Sequence, residues 1–223
     1  MRVMRASMDA GEFSCKTVVI LAAGCAEGRD LARMAASAGA HVVVVDHDAE
    51  QVKAIAKIAS DRIEALHLDV LRPAHCQLLS TTWAAEPLDL LIHCQALRTP
   101  HRAGAAVQAI ATLTEGLSKG LTQGRGRVPV LFRPVAPDAG AGPAALMQAL
   151  EALPPLIQAK SWAEGLSVTG LRLPRTRASV KGLRRVVCGL MAEDTAFAQG
   201  VVLPLAPDPI DAGGSGVKPT RDE

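Results

Sequence analysis

The loop Ala22-Ala23-Gly24-Cys25-Ala26-Glu27-Gly28 lies between an apolar run, Lys16–Leu21, and a helical pattern over Arg29–Ala38. Small residues at such a point let an anion approach the free N–H groups at a helix N-terminus, as a dinucleotide pyrophosphate does. Gly24, Ala26 and Gly28 are the candidates for that contact. Asp46 closes the second apolar run, HVVVV, where an acid can accept hydrogen bonds from ribose hydroxyls and favour NAD over NADP. Capping a strand end or a helix N-terminus is the competing role for Asp46 and for Asp69. Cys25, His93 and Cys94 follow the first and fourth apolar runs and could form a thiol–imidazole metal or redox cluster. They lack metal-ligand spacing and a clear fourth ligand, and small buried thiols are the common outcome. A Cys–His nucleophile would also need a third, orienting group. From Arg172 to Arg185 six basic residues (Arg172, Arg175, Arg177, Lys181, Arg184, Arg185) run without an acid. They could hold an anion or form a solvated helix face.

These residues need a frame, and the pattern along the chain supplies one. Short β-branched runs alternate with helical patterns: strands at Lys16–Leu21, His41–Val45, Ile63–Leu68, Leu88–His93, Val128–Phe132, Leu166–Leu173 and Val201–Leu205. Helices are expected at Arg29–Ala38, Ala49–Ala59, Pro73–Ala84, Ala103–Leu121, Ala144–Glu164 and Val180–Met191, with Pro154-Pro155 kinking or dividing the fifth. Such alternation predicts a single α/β domain over 16–205, a doubly wound parallel sheet covered on both faces. Residues 1–15 and 206–223 read as loose tails. Ligands in such sheets bind beyond the carboxyl ends of the strands, where the winding reverses.

Composition narrows the classes. Apolar residues make up 49% and aromatics only 2%, so the core must be aliphatic and close-packed. The net charge of +2 predicts no strong attraction to nucleic acid or membrane, and no aromatics interleave the basic run to stack bases. The five scattered cysteines include no C-x-x-C pair and read as reduced thiols of a cytoplasmic protein. The first fifteen residues hold no apolar run, which predicts no secretory signal.

Order and spacing over about 16–205 resemble the short-chain dehydrogenase/reductase family. Its T-G-x-x-x-G-x-G opening corresponds to Leu21–Gly28, with Ala22 and Ala26 in place of the first and middle glycines. An alanine held at positive φ costs about 1–2 kcal/mol. The resemblance places Asp69-Val70 at the D-V pair beside the adenine, and His93-Cys94-Gln95-Ala96 at N-N-A-G, which makes Cys94 a cofactor-side residue. Family catalysis uses Asn, Ser, Tyr and Lys. This chain contains no tyrosine and no asparagine. The serine position falls at Phe132-Arg133, the tyrosine position at Pro143, and the lysine position at Met147. The substrate-covering segment after strand six is also missing, because Pro174 is followed almost at once by the helix at Val180.

The expectation is therefore a Rossmann fold without its hydride-transfer residues: no catalytic residue and no metal site are assigned, and no cofactor is required. It would act by binding, as an interaction or regulatory subunit or as an adenine-nucleotide sensor preferring NAD. The alternative is an NAD-dependent oxidoreductase with an unorthodox site; a weaker one is an anion-binding enzyme using the Arg172–Arg185 region. The family places its oligomer interfaces on the counterparts of helices 103–121 and 144–164 and on its last strand, which implies homo- or hetero-oligomers.

Overall fold

The computed structural model describes residues 13–83, 86–136, 138–175, 180–191 and 199–205. Seven parallel strands form one sheet in the order β3-β2-β1-β4-β5-β6-β7: β1 (Thr17–Leu21), β2 (His41–Asp46), β3 (Ile63–His67), β4 (Leu90–His93), β5 (Arg127–Phe132), β6 (Ser167–Arg172) and β7 (Val201–Pro204). The five inner strands are buried nearly throughout, whereas β3 and β7, at the edges, are mostly exposed or half-buried. Runs such as VVIL and VVVV fit this because β-branched side chains pack on a pleated surface covered on both sides. Each fully buried Val, Leu or Ile contributes about 1.5–3 kcal/mol of transfer free energy.

Eight α-helices are described: α1 (Ala26–Ser37), α2 (Ala49–Ala56), α3 (Pro73–Trp83), α4 (Gln95–Arg98), α5 (Ala103–Gly116), α6 (Ser118–Gln123), α7 (Ala141–Gln158) and α8 (Val180–Met191). The single doubly wound α/β domain read from the sequence is the architecture found. Winding reverses between β1 and β4, which pair in register from Val18↔Leu90 to Leu21↔His93. The loops after these two strands therefore face each other across the switch point.

Three details differ from the sequence expectation. The helix expected over 103–121 is two, parted at Leu117, a fully buried residue between α5 and α6. Close packing holds that break: a Cβ at Gly116 would lie 2.2 Å from Ser80 Oγ, and one at Gly120 would lie 2.5 Å from Glu86 O. Of the kink or division expected at Pro154-Pro155, the division does not occur, since α7 runs through both. Pro154 is buried against β6, where Gly170 has no side chain to obstruct its ring. The third concerns the first expected tail. Phe13 is fully buried and its N–H donates to Ala38 O at 3.0 Å, so Phe13 belongs to the packed body while Ser14 and Cys15 stay exposed. The second expected tail, 206–223, lies outside the described residues.

Candidate functional site

The β1–α1 loop turns tightly. Ala22 sits at φ +57°, the left-handed region, at the first glycine position of the resemblance. Gly28 is required for a different reason: a Cβ there would lie 2.5 Å from Ala23 O, so only glycine lets α1 start this close to the end of β1. Ala26 is the first residue of α1 and takes ordinary helical geometry. Cys25 caps the helix. Its sulfur accepts the Gly28 N–H at 3.3 Å. Interaction with Cys94 holds the Cys25 thiol below its ordinary pKa. Cys94, fully buried at the end of β4, is correspondingly raised by Cys25 and by burial.

Asp46 ends β2 with no exposed surface. Its Oδ2 accepts the Gly24 N–H at 2.8 Å and its Oδ1 the Asp48 N–H at 3.0 Å. The Arg98 guanidinium reaches it from α4, with Nε 3.2 Å from Oδ2, and also approaches Asp48 at 3.6 Å. His47 Nδ1 lies 3.2 Å from Oδ1. Two backbone N–H groups, the Arg98 guanidinium and His47 thus already partner the Asp46 carboxylate. Arg98 lies over Gly24, since a Cβ on that glycine would be 2.8 Å from Arg98 Nε.

Two further ion pairs bridge the same cleft. Glu27, in the first turn of α1 and 6% exposed, is held by Arg133, which follows β5. Asp69 accepts the Leu71 N–H at 3.1 Å and lies 3.6 Å from Arg102, just beyond α4. Burial alone would raise the Asp69 carboxyl; the Leu71 N–H together with Arg102 and Arg72 outweighs it and leaves the group low. Val70, its neighbour, is in the core, and its carbonyl accepts the Cys76 thiol at 3.0 Å. Gly24, Gly28, Asp46, Asp69 and Cys94 are therefore gathered at the carboxyl end of the sheet. The two acids there are partnered by Arg98 and Arg102, two residues of the segment after β4 that sequence reading passed over. An Arg every fourth residue in QALRTPHR was the only local signal.

His93 leaves the cysteine cluster. The Thr114 hydroxyl donates to Ile110 O at 2.7 Å, so it accepts from His93 Nε2 at 3.1 Å. His93 Nδ1 then accepts from Gln95 Nε2 at 3.1 Å. Both ring nitrogens are used, and burial pushes the imidazole pKa down to about 3. Among the described residues no group of three or more His, Cys, Asp or Glu side chains could hold a metal ion.

Beyond Phe132 and Arg133 a pocket of about 490 Å³ opens, also lined by Ala96, His101, Pro143 and Met147. These include the positions where the resemblance puts serine, tyrosine and lysine. Among the described residues, Arg133 and His101 are its ionisable lining residues. Among the described residues the basic run does not converge on it as a cluster: Arg172 pairs with Glu151 at 3.0 Å and Arg175 donates to Val135 O. Lys181 and Arg185 are exposed on α8, and Arg177 is outside the described residues.

The fold matches solved structures over most of its length. BdcA (YjgI) from E. coli superposes with a TM-score of 0.69 at 16% identity, covering 87% of this chain and 100% of that one. A metagenomic short-chain oxidoreductase in complex with NADP gives 0.68 at 17%, covering 88% and 100%. Gluconate 5-dehydrogenase from Burkholderia cenocepacia J2315, in complex with NADP and tartrate, gives 0.70 at 17%, covering 89% and 96%. The fold is that of the short-chain dehydrogenases/reductases. No protein-family model matches the chain, and no curated protein matches it. At these identities the likeness extends to the fold alone. No helix among the described residues is long and apolar enough to cross a membrane.

Proposed function

We propose that this protein is a short-chain-dehydrogenase-type Rossmann protein that acts by binding, without hydride transfer, as an interaction or regulatory subunit. The observation that carries the reading is the wall of the 490 Å³ pocket, which offers Pro143 and Met147 where a proton-donating tyrosine and its lysine would stand. Positioned acid–base groups typically supply roughly 10²–10⁴-fold, and the tyrosine–lysine pair that would supply it at these positions is absent. The nucleotide half supports the same reading. An incoming ribose would compete with Arg98 for Asp46, and an incoming pyrophosphate would meet the Glu27 carboxylate at the first turn of α1.

A binding role needs a surface, and α7 supplies a candidate. Leu156 is 60% exposed on it, beside a shallow depression formed with Ala111, Leu153, Ile157 and Trp162. Apolar area of this kind on a helix face favours association with a second copy or another chain.

One preparation tests the reading. Purified protein is assayed with NAD(H) and NADP(H) against a carbonyl and alcohol panel, and its native mass is measured. No turnover above background and a mass above that of the monomer are expected. Turnover that saturates with substrate overturns the non-catalytic assignment and favours an oxidoreductase with an unorthodox site; a strictly monomeric protein, purified from its host without a partner, overturns the subunit role.

A further inference from the structure

We propose that Cys25 and Cys94 form a redox-active dithiol that hydroperoxides oxidise to a disulfide across the switch point of the sheet. The placement follows from the strands. β1 and β4 are neighbours, Leu21 pairs with His93, and the Cys94 N–H donates to Leu21 O at 3.0 Å. One thiol therefore hangs from each facing loop, and the Cys94 thiol acts on Cys25 closely enough to hold its pKa down. Cys25 is half-buried at the N-terminus of the twelve-residue helix α1, with the Gly28 N–H at 3.3 Å on its sulfur. Cys94 has no exposed surface. Such an arrangement separates the roles: a partly accessible attacking sulfur at a helix N-terminus, and an enclosed resolving thiol beside it.

Electrostatics agree with that division. The Cys94 thiol and the Gly28 N–H favour a Cys25 thiolate, against burial first and repulsion from Glu27 and Asp46 second. Both of those carboxylates are themselves paired, with Arg133 and Arg98. His93 is excluded from the chemistry because both its nitrogens are bonded elsewhere.

The steps balance. The Cys25 thiolate attacks one peroxide oxygen, the O–O bond breaks, and hydroxide leaves to become water. Sulfur is oxidised to a sulfenic acid and the peroxide is reduced. The Cys94 sulfur then attacks that sulfenic sulfur. An S–S bond forms, the S–O bond breaks, and the departing hydroxide takes the Cys94 proton as a second water. Two thiols and one hydrogen peroxide give one disulfide and two waters; an organic hydroperoxide gives its alcohol in place of the first water. The Arg98 N–H donates to Cys94 O at 2.9 Å, so the new bond would pin the segment that carries Arg98 against the β1–α1 loop.

The test reads covalent state and so is independent of turnover or nucleotide binding. Fully reduced full-length protein is treated with one equivalent of hydrogen peroxide, remaining thiols are blocked with N-ethylmaleimide, and peptides are mapped by mass. A Cys25–Cys94 linked peptide is expected, with Cys15, Cys76 and Cys188 alkylated. In C25S, peroxide consumption should fall by about tenfold or more, while C94S should accumulate a Cys25 sulfenic acid that dimedone traps. Wild-type protein in which Cys25 and Cys94 both stay alkylated, or in which only the exposed Cys15 is oxidised, overturns the proposal without recourse to any variant.

Discussion

Ala22 shows how one methyl group records a compromise. Its φ of +57° is where glycine is at ease and an L-residue is strained by about 1–2 kcal/mol. Alanine recovers part of that cost, about 0.4–1 kcal/mol, by restricting the unfolded chain. A22G should therefore stabilise the protein by about 0.5–1 kcal/mol, read as a rise in unfolding midpoint of ~2–4 °C per kcal/mol. A fall in midpoint would mean that the methyl, which is 5% exposed, is packed well enough to offset the strain. Gly28 is the opposite case. Its Cβ would strike the Ala23 backbone, which cannot give way as a flexible side chain could, so the last glycine of the loop serves helix–strand packing whether or not a phosphate ever binds there.

At the scale of elements, the segment after β4 acts as a strap. Arg98 reaches back to Asp46 and Asp48, and Arg102 to Asp69, so α4 and the turn after it close over the ends of β2 and β3. R98A removes the guanidinium from above Gly24 and frees Asp46 to accept a ribose. Wild-type protein should show no thermal shift with NAD, whereas R98A, although less stable alone by about 2 kcal/mol, should gain a shift. Ligand at a hundredfold over its dissociation constant adds about 2.7 kcal/mol, which is several degrees for a domain of this size. A wild-type shift equal to that of R98A would show that the strap does not obstruct the cleft. Sequence reading could not have found this device. Strands such as HVVVVD announce themselves because burial on both faces demands β-branched residues in unbroken runs, and the glycine loop and Asp46 announce themselves by position. The Asp46–Arg98 and Glu27–Arg133 pairs join residues 52 and 106 positions apart. No local period reports such contacts; they exist only once the sheet has brought the loops together. The same applies to α7, where proline argues for a break and only the space left by Gly170 in β6 explains its continuity.

For the whole molecule, the buried imidazole of His93 couples stability to pH. Folded, it titrates near 3, because burial disfavours its charged form; unfolded, it returns to the ordinary value of 6.5. Between these values the unfolded chain carries a proton that the folded chain lacks, so unfolding gains as pH falls. The slope from this one group is about 1.4 kcal/mol per pH unit, absent above 6.5 and fully developed across the mildly acidic range. Denaturant unfolding at pH 7, 6 and 5 should show stability declining below neutrality. Replacing His93 with glutamine, which can still bond Thr114 and cannot titrate, should reduce the slope by about one proton. If H93Q keeps the full wild-type slope, another group governs acid unfolding, and the closed bonding of His93 to Gln95 and Thr114 does not hold in solution. A flattened slope with little loss of stability at pH 7 would mean that the ring's place at the end of β4 serves the packing of the switch point, leaving the two thiols beside it as the reactive groups of that loop pair.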